Sequence, residues 1–207
     1  NYLNETISSG HTRLSLIKLS AILHDIGKPS ALKKRNGKFI FHGHERIGSF
    51  KTEEIARRLK LSVDEINALH KIVALHLRPG FLADAPKLTS RAKFRFFRDT
   101  GKEAISVILL SLADQRATRG RLTTKDSRQR HEKTCKSLIK EYFKKQKEKK
   151  PCRIITGDDL ITEFKLQPSP LVGKILSEIE ELQAIGRIST KLEAFEVARK
   201  IISKERK

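Results

Sequence analysis

The sequence contains no methionine and opens on Asn1, so it is expected to be a piece of a longer translation product with something upstream missing. No apolar run approaches the ~20 residues that a membrane-spanning helix needs, and no signal peptide is recognisable. A soluble protein with no membrane partner is expected. The two cysteines, Cys135 and Cys152, lie in lysine-rich surroundings without a partner motif. A reducing cytoplasmic compartment follows as the expectation. Acidic residues are in deficit: 24 Asp and Glu face 44 Lys and Arg, a formal net charge of +20. Charge this one-sided points to a polyanion, most simply nucleic acid, ahead of a surface charged only for solubility. Strand patterning is absent throughout, so the chain reads as all-α. Its 207 residues suffice for one large domain, or one with a small appendage.

What is present is a succession of helices. Leu14, Leu16, Ile17, Leu19, Ala21, Ile22 and Leu23 cover nearly every face of a helix spanning about 12–25, which predicts a buried one. Gly27 and Pro29 stop it. A turn with a basic tip, Lys33 to Lys38, leads to Phe41-His42-Gly43-His44-Glu45 and a helix carrying Ile47, Phe50, Ile55 and Leu59 on one face. Ser62 and Glu65 form a capping box before a helix with Leu69, Val73 and His76 on one stripe, ended by Pro79-Gly80. Phe94, Phe96 and Phe97 alternate with arginines, as core residues or, more rarely, as base-stacking platforms. An almost wholly apolar helix, 103–117, carries Asp114 on the stripe of Val107 and Leu110. A long helix over 127–150 ends in lysines, and Pro151 marks a domain boundary, giving a region 1–150 and a small helical tail 151–207.

Two carboxylates stand out. Asp25, after His24 at the end of an apolar helix, and Asp114, on a core stripe, are both costly placements unless a positive group meets them. A divalent cation would do so, and His with Asp is a suitable ligand pair. His24, Asp25, His44, His76 and Asp114 are therefore the candidate metal ligands, on successive helices of one bundle. The competing account of each histidine is a satisfied core residue, and of Asp25 a solvated helix end.

Leu23-His24-Asp25-Ile26-Gly27-Lys28-Pro29, with Asp114 in Leu112-Ala113-Asp114, resembles the HD superfamily of metal-dependent phosphohydrolases. His24 and Asp25 match the family's pair, Asp114 its distant aspartate, and His44 and His76 the intervening histidines of two-metal members. The Phe41–Glu45 and His76–Pro79 stretches are similar to one branch, the HD region of bacterial CCA-adding tRNA nucleotidyltransferases and poly(A)-polymerase-like relatives. So is the ending: Ile155–Ile161, Pro170–Leu176 and Gly186–Thr190. The resemblance implies an all-α HD-domain bundle followed by a tRNA-contacting tail. The family's first histidine belongs further upstream than His11, a poor substitute, and is expected to lie before Asn1. The β-rich nucleotidyltransferase head with its paired aspartates is missing here.

The resemblance further implies a divalent ion (Mg²⁺, Mn²⁺, Co²⁺ or Ni²⁺) held by His24, Asp25 and Asp114. His44 and His76 would hold a second ion or serve as phosphate donors or acid. Lys28 would neutralise charge on a phosphate, or simply be a cation favoured near a helix C-terminus. Lys144, Lys145, Lys147, Lys149 and Lys150 are candidate RNA contacts. The expected partners are tRNA or other RNA and nucleotide phosphates. Hydrolysis of phosphomonoesters or 2′,3′-cyclic phosphates at RNA ends is the first functional expectation, and a catalytically silent tRNA-holding body the second. A cyclic-dinucleotide phosphodiesterase is disfavoured: its glycine-tyrosine-proline signature is absent, the only tyrosines being Tyr2 and Tyr142.

Overall fold

The structure is a computed structural model and describes residues 2–8, 10–118, 123–148 and 152–205. It is all-α, with two short hairpins. The chain divides into two compact units, Asn1–Leu88 with Phe96–Lys147, and Thr89–Arg95 with Glu148–Lys207. Among the described residues no helix is long and apolar enough to cross a membrane.

The first unit opens with β1 (Thr6–Ser8) paired to β2 (His11–Thr12), then α1 (Arg13–Leu23). Thr12 caps α1 by accepting from the Ser15 amide. α1 is less buried than its composition predicts: Leu16, Ser20 and Leu23 form the covered stripe, whereas Ile22 is 78% exposed. The helix is packed along one side, against α4 (Val63–Leu75) and α7 (Ala104–Ala117). α7 does behave as an all-round apolar helix should. Its Ala104, Ile105, Val107, Ile108 and Leu110 are buried, because α1, α4, α5 (Arg78–Asp84) and α8 (Lys125–Lys147) all pack on it.

Between α1 and α4 come α2 (Lys28–Ala31), β3 (Lys33–Arg35), β4 (Lys38–Ile40) and α3 (His44–Arg58). The hairpins correct the expectation of no strands. β3 and β4 are joined by Asn36-Gly37, both at positive φ (50° and 73°), the pairing that a tight two-residue hairpin turn requires. The buried face of α3 also differs from the expected one. His44, Gly48, Ser49, Thr52 and Ala56 face inward, while Phe50 and Leu59 are exposed. Small residues let α3 approach α4 closely, a contact that an apolar-periodicity count does not weigh. The Ser62–Glu65 capping box is present on α4, and Leu69, Val73 and His76 are buried as expected. α4 ends at Leu75, ahead of Pro79-Gly80, and Pro79 lies in the first turn of a new helix, α5.

In the second unit the N-terminal part of α6 (Ser90–Thr100) accompanies α9 (Gly157–Phe164), α10 (Pro170–Ala184) and α11 (Lys191–Glu205). Their core is Leu160, Val172, Ile175, Ile179, Ala194, Ala198 and Ile202. Buried Glu181 is satisfied by Arg91 and by Arg95, whose Nε lies at 2.8 Å. The remainder of α6 belongs to the first unit, where Phe96 is fully buried in the core.

Candidate metal centre

Helix ends deliver the candidate ligands. His24 caps α1 at its C-terminus with Asp25 following, His44 opens α3, His76 caps α4, and Asp114 sits in the last turn of α7. Each histidine is oriented in the same way. Nδ1 of His24 lies 2.9 Å from the Ala21 carbonyl oxygen, Nδ1 of His44 2.9 Å from that of Phe41, and Nδ1 of His76 2.6 Å from that of Val73. A carbonyl oxygen can only accept, so Nδ1 donates, and the neutral ring keeps its lone pair on Nε2.

All three Nε2 atoms are buried and without a hydrogen-bond partner among the described residues. His24 Nε2 lies 3.3 Å from Asp25 Oδ2 and 3.6 Å from Asp114 Oδ1; His44 Nε2 lies 3.3 Å from Asp25 Oδ1. The His76 ring stands edge-on to both others, with centroids 5.2 Å from His24 and 5.5 Å from His44. Ligand atoms of His24, Asp25 and His76 all fall within 4.8 Å of one another. A buried polar atom without a partner costs about 1–3 kcal/mol. Three imidazole lone pairs facing carboxylate oxygens are the donor set of a divalent cation, so the residues fit such an ion. The electrostatics agree. Asp114 beside His24 raises the imidazole's proton affinity against the opposing effect of burial, and His24 in turn lowers the pKa of Asp114. Burial lowers that of His76.

Main-chain contact sets the spacing. A Cβ on Gly27 would lie 2.1 Å from the His44 carbonyl oxygen and 2.6 Å from the Gly48 nitrogen. The segment after Asp25 therefore rests directly on the first turns of α3.

The structure brings together all of His24, Asp25, His44, His76 and Asp114. Lys28 joins them through a 2.6 Å hydrogen bond from its Nζ to Asp25 Oδ2. It opens the four-residue helix α2, whose single turn also makes it a last-turn cation. His11 lies apart: its Nδ1 is 2.8 Å from Glu65, and the length of α1, roughly 16 Å by helical rise, separates it from His24. Lys144, Lys145 and Lys147 lie exposed in the last turn of α8, with Lys145 Nζ 4.9 Å from the Phe97 ring centroid. Lys149 and Lys150 lie outside the described residues.

A cleft of about 530 Å³ adjoins Asp114, walled in part by Asp84, Ser111, Gln115, Arg130 and His131. Sequence patterning alone does not single out His131, which is buried with Nε2 3.0 Å from Ser111 Oγ and Nδ1 without a partner among the described residues. Its signal is position: it extends the buried stripe of Cys135 and Leu138 on an otherwise polar helix.

Comparison with known proteins accords with this geometry. The chain is 26% identical to an A-adding tRNA nucleotidyltransferase of Deinococcus radiodurans, over 86% of this chain and 40% of that protein. It is 29% identical to a CC-adding tRNA nucleotidyltransferase of Thermus thermophilus, over 86% of this chain and 38% of the relative. A CC-adding tRNA nucleotidyltransferase of Synechocystis sp. matches at 27% identity, over 70% of this chain and 32% of its own length. The matched stretch thus spans well under half of each relative. The HD domain family matches residues 2–119, which hold all the histidines and carboxylates gathered at the centre, and the chain belongs to that family.

Proposed function

We propose that the chain is the HD-type phosphohydrolase region of a tRNA nucleotidyltransferase-like protein and that it acts on phosphomonoesters or 2′,3′-cyclic phosphates at RNA ends. The observation that carries this reading is the gathering of three buried Nε2 atoms, unpartnered among the described residues, with Asp25 and Asp114: His24 and His44 face the carboxylates directly, and His76 groups with His24 and Asp25. His24, His76, Asp25 and Asp114 would hold a divalent ion, with His44 able to complete the set or to face substrate. A bound ion supplies a Lewis acid for a phosphoryl oxygen and lowers the pKa of water. The imidazole content favours Co²⁺ or Ni²⁺ over the oxygen-seeking Mg²⁺, with Mn²⁺ between them.

The protein's own groups do the rest. Lys28, already on Asp25, can share its ammonium with a phosphate oxygen. Arg130 and His131 line the adjoining cleft, where a ligand's phosphate or ribose would meet them. Residues 1–150 would form the HD region and 151–207 a tRNA-contacting tail, with Lys144, Lys145 and Lys147 adding phosphate contacts.

The test is turnover of p-nitrophenyl phosphate and a 2′,3′-cyclic nucleotide with each ion, comparing wild type with Asp25→Ala. Metal-dependent turnover abolished by Asp25→Ala is expected. Independently of activity, Mn²⁺ at a hundredfold over its Kd should stabilise the fold by about 2.7 kcal/mol, and Asp25→Ala should remove most of that shift. A second reading rests on the +20 charge: a silent body that holds tRNA. Salt-sensitive tRNA binding by a folded protein that turns over neither substrate with any ion would favour it.

A further inference from the structure

Between Asp25 and His44 the chain runs out into the β3–β4 ribbon, which the hydrolysis proposed above does not use. Lys34 pairs with Phe39 across the strands, and cross-strand partners share a face; Lys33 with Ile40 and Arg35 with Lys38 occupy the other. β3 is exposed throughout, and Phe39 is 64% exposed. None of Lys33, Lys34, Arg35 or Lys38 is in an ion pair among the described residues. An aromatic ring standing in solvent beside Lys34, on a ribbon whose other face carries Lys33, Arg35 and Lys38, suits one class of polyanion. Single-stranded nucleic acid offers unstacked bases to the ring and phosphates to the cations, whereas a duplex keeps its base faces covered. The ribbon's position adds to this: Phe39 and His44 are five positions apart, a span of at most about 18 Å.

We infer that the β3–β4 ribbon binds single-stranded RNA, with Phe39 stacking on a base, Lys34 beside it meeting a phosphate, and Lys33, Arg35 and Lys38 on the other face meeting the backbone where the strand wraps the ribbon, so that the strand's end reaches the histidine–aspartate centre. The last step rests on the RNA-end reading above; the binding itself does not.

The chain contains no tryptophan, so Phe39→Trp places a single indole at the test position. A 12-nucleotide oligoadenylate with a 3′-phosphate should quench that indole, and a blunt 12-base-pair RNA duplex should not. Phe39→Ala should weaken oligoadenylate binding, measured by anisotropy, by about fivefold to a hundredfold, the value of one base stack. Changing the four basic residues to glutamine should flatten the salt dependence by about 0.7 in slope for each phosphate no longer neutralised. Turnover of p-nitrophenyl phosphate should be unchanged in all these variants. Three outcomes would overturn the inference: no quenching while RNA binds, equal quenching by the duplex, or wild-type affinity in Phe39→Ala. The last would leave Phe39 to a protein partner. Quenching without turnover of any ester would sink the hydrolase reading and leave the ribbon standing; turnover without quenching would do the reverse.

Discussion

Gly27→Ala is the most informative single substitution at the centre, because it leaves every candidate ligand side chain in place. Gly27 has φ −79° and ψ −16°, a conformation that alanine adopts freely, so the backbone raises no objection. Alanine should even gain about 0.4–1 kcal/mol by restricting the unfolded chain. Space is the obstacle: the new Cβ would sit 2.1 Å from the His44 carbonyl oxygen, where ordinary contacts between heavy atoms lie near ~3.5 Å. Both opposing atoms at Gly48 and His44 belong to the main chain of α3 and cannot swing away as a side chain would. The segments must part by about 1 Å. Overpacking of this kind costs about 1–3 kcal/mol, a fall in melting temperature on the order of 5 °C. The larger effect is on the centre, since the displacement separates Asp25 from His44. A misplacement of about 1 Å costs on the order of a hundredfold in a positioned site. Calorimetric Mn²⁺ titration and phosphatase turnover should both show a loss of that order. Gly173→Ala is the control, with nothing within 4 Å of its added carbon, and should be neutral or slightly stabilising. A Gly27→Ala protein with wild-type melting and Mn²⁺ affinity would refute the argument.

Two further outcomes follow from buried titratable groups. Burial pushes the Glu181 carboxyl pKa up, but hydrogen bonds from Arg95 and Arg91 outweigh it and the net shift is downward. With the folded value below the unfolded one of about 4.3, the stabilisation is complete above that pH and is lost as pH falls through the folded value. Protection factors for amide exchange in α10 and α11 should therefore fall on acidification below pH ~4.3 in wild type, and less steeply in Glu181→Gln; identical profiles would contradict the assignment. Burial also raises the Cys135 thiol pKa to about 12, while Cys152 is exposed. Ellman's reagent should titrate one thiol in the native protein and the second only on unfolding, and two fast-reacting thiols would show that Cys135 is not enclosed.

Much of this architecture was legible in the sequence, for definite reasons. The capping box at Ser62 and Glu65 is a local exchange of hydrogen bonds, and the stripe of Leu69, Val73 and His76 is simple helical period, so both survive folding unchanged. His24, Asp25 and Asp114 stood out because a carboxylate on an apolar helix needs compensation. The inward face of α3 was not legible: Gly48, Ser49, Thr52 and Ala56 are buried by a close helix approach that hydrophobicity does not encode. Ile22 misled in the opposite direction, since an apolar helix with only one packed side leaves its far face in solvent. The Asn36-Gly37 turn did carry a hairpin signal, but strands as polar as Lys33–Arg35 have no alternation to set against it.

The Nδ1 contacts have a consequence for how such a centre withstands mutation over time. Its three imidazoles are aimed by the carbonyl oxygens of Ala21, Phe41 and Val73, each three residues earlier in the same chain. A carbonyl belongs to the backbone and is present whatever side chain the residue bears. Substitution at those three positions therefore cannot delete the orienting partner, as removal of an outer carboxylate would. The aiming of the donor atoms is inherited with the backbone itself, the last turns of α1 and α4 for His24 and His76 and the turn through Gly43 for His44, and the surrounding side chains can diverge while the lone pairs keep their direction.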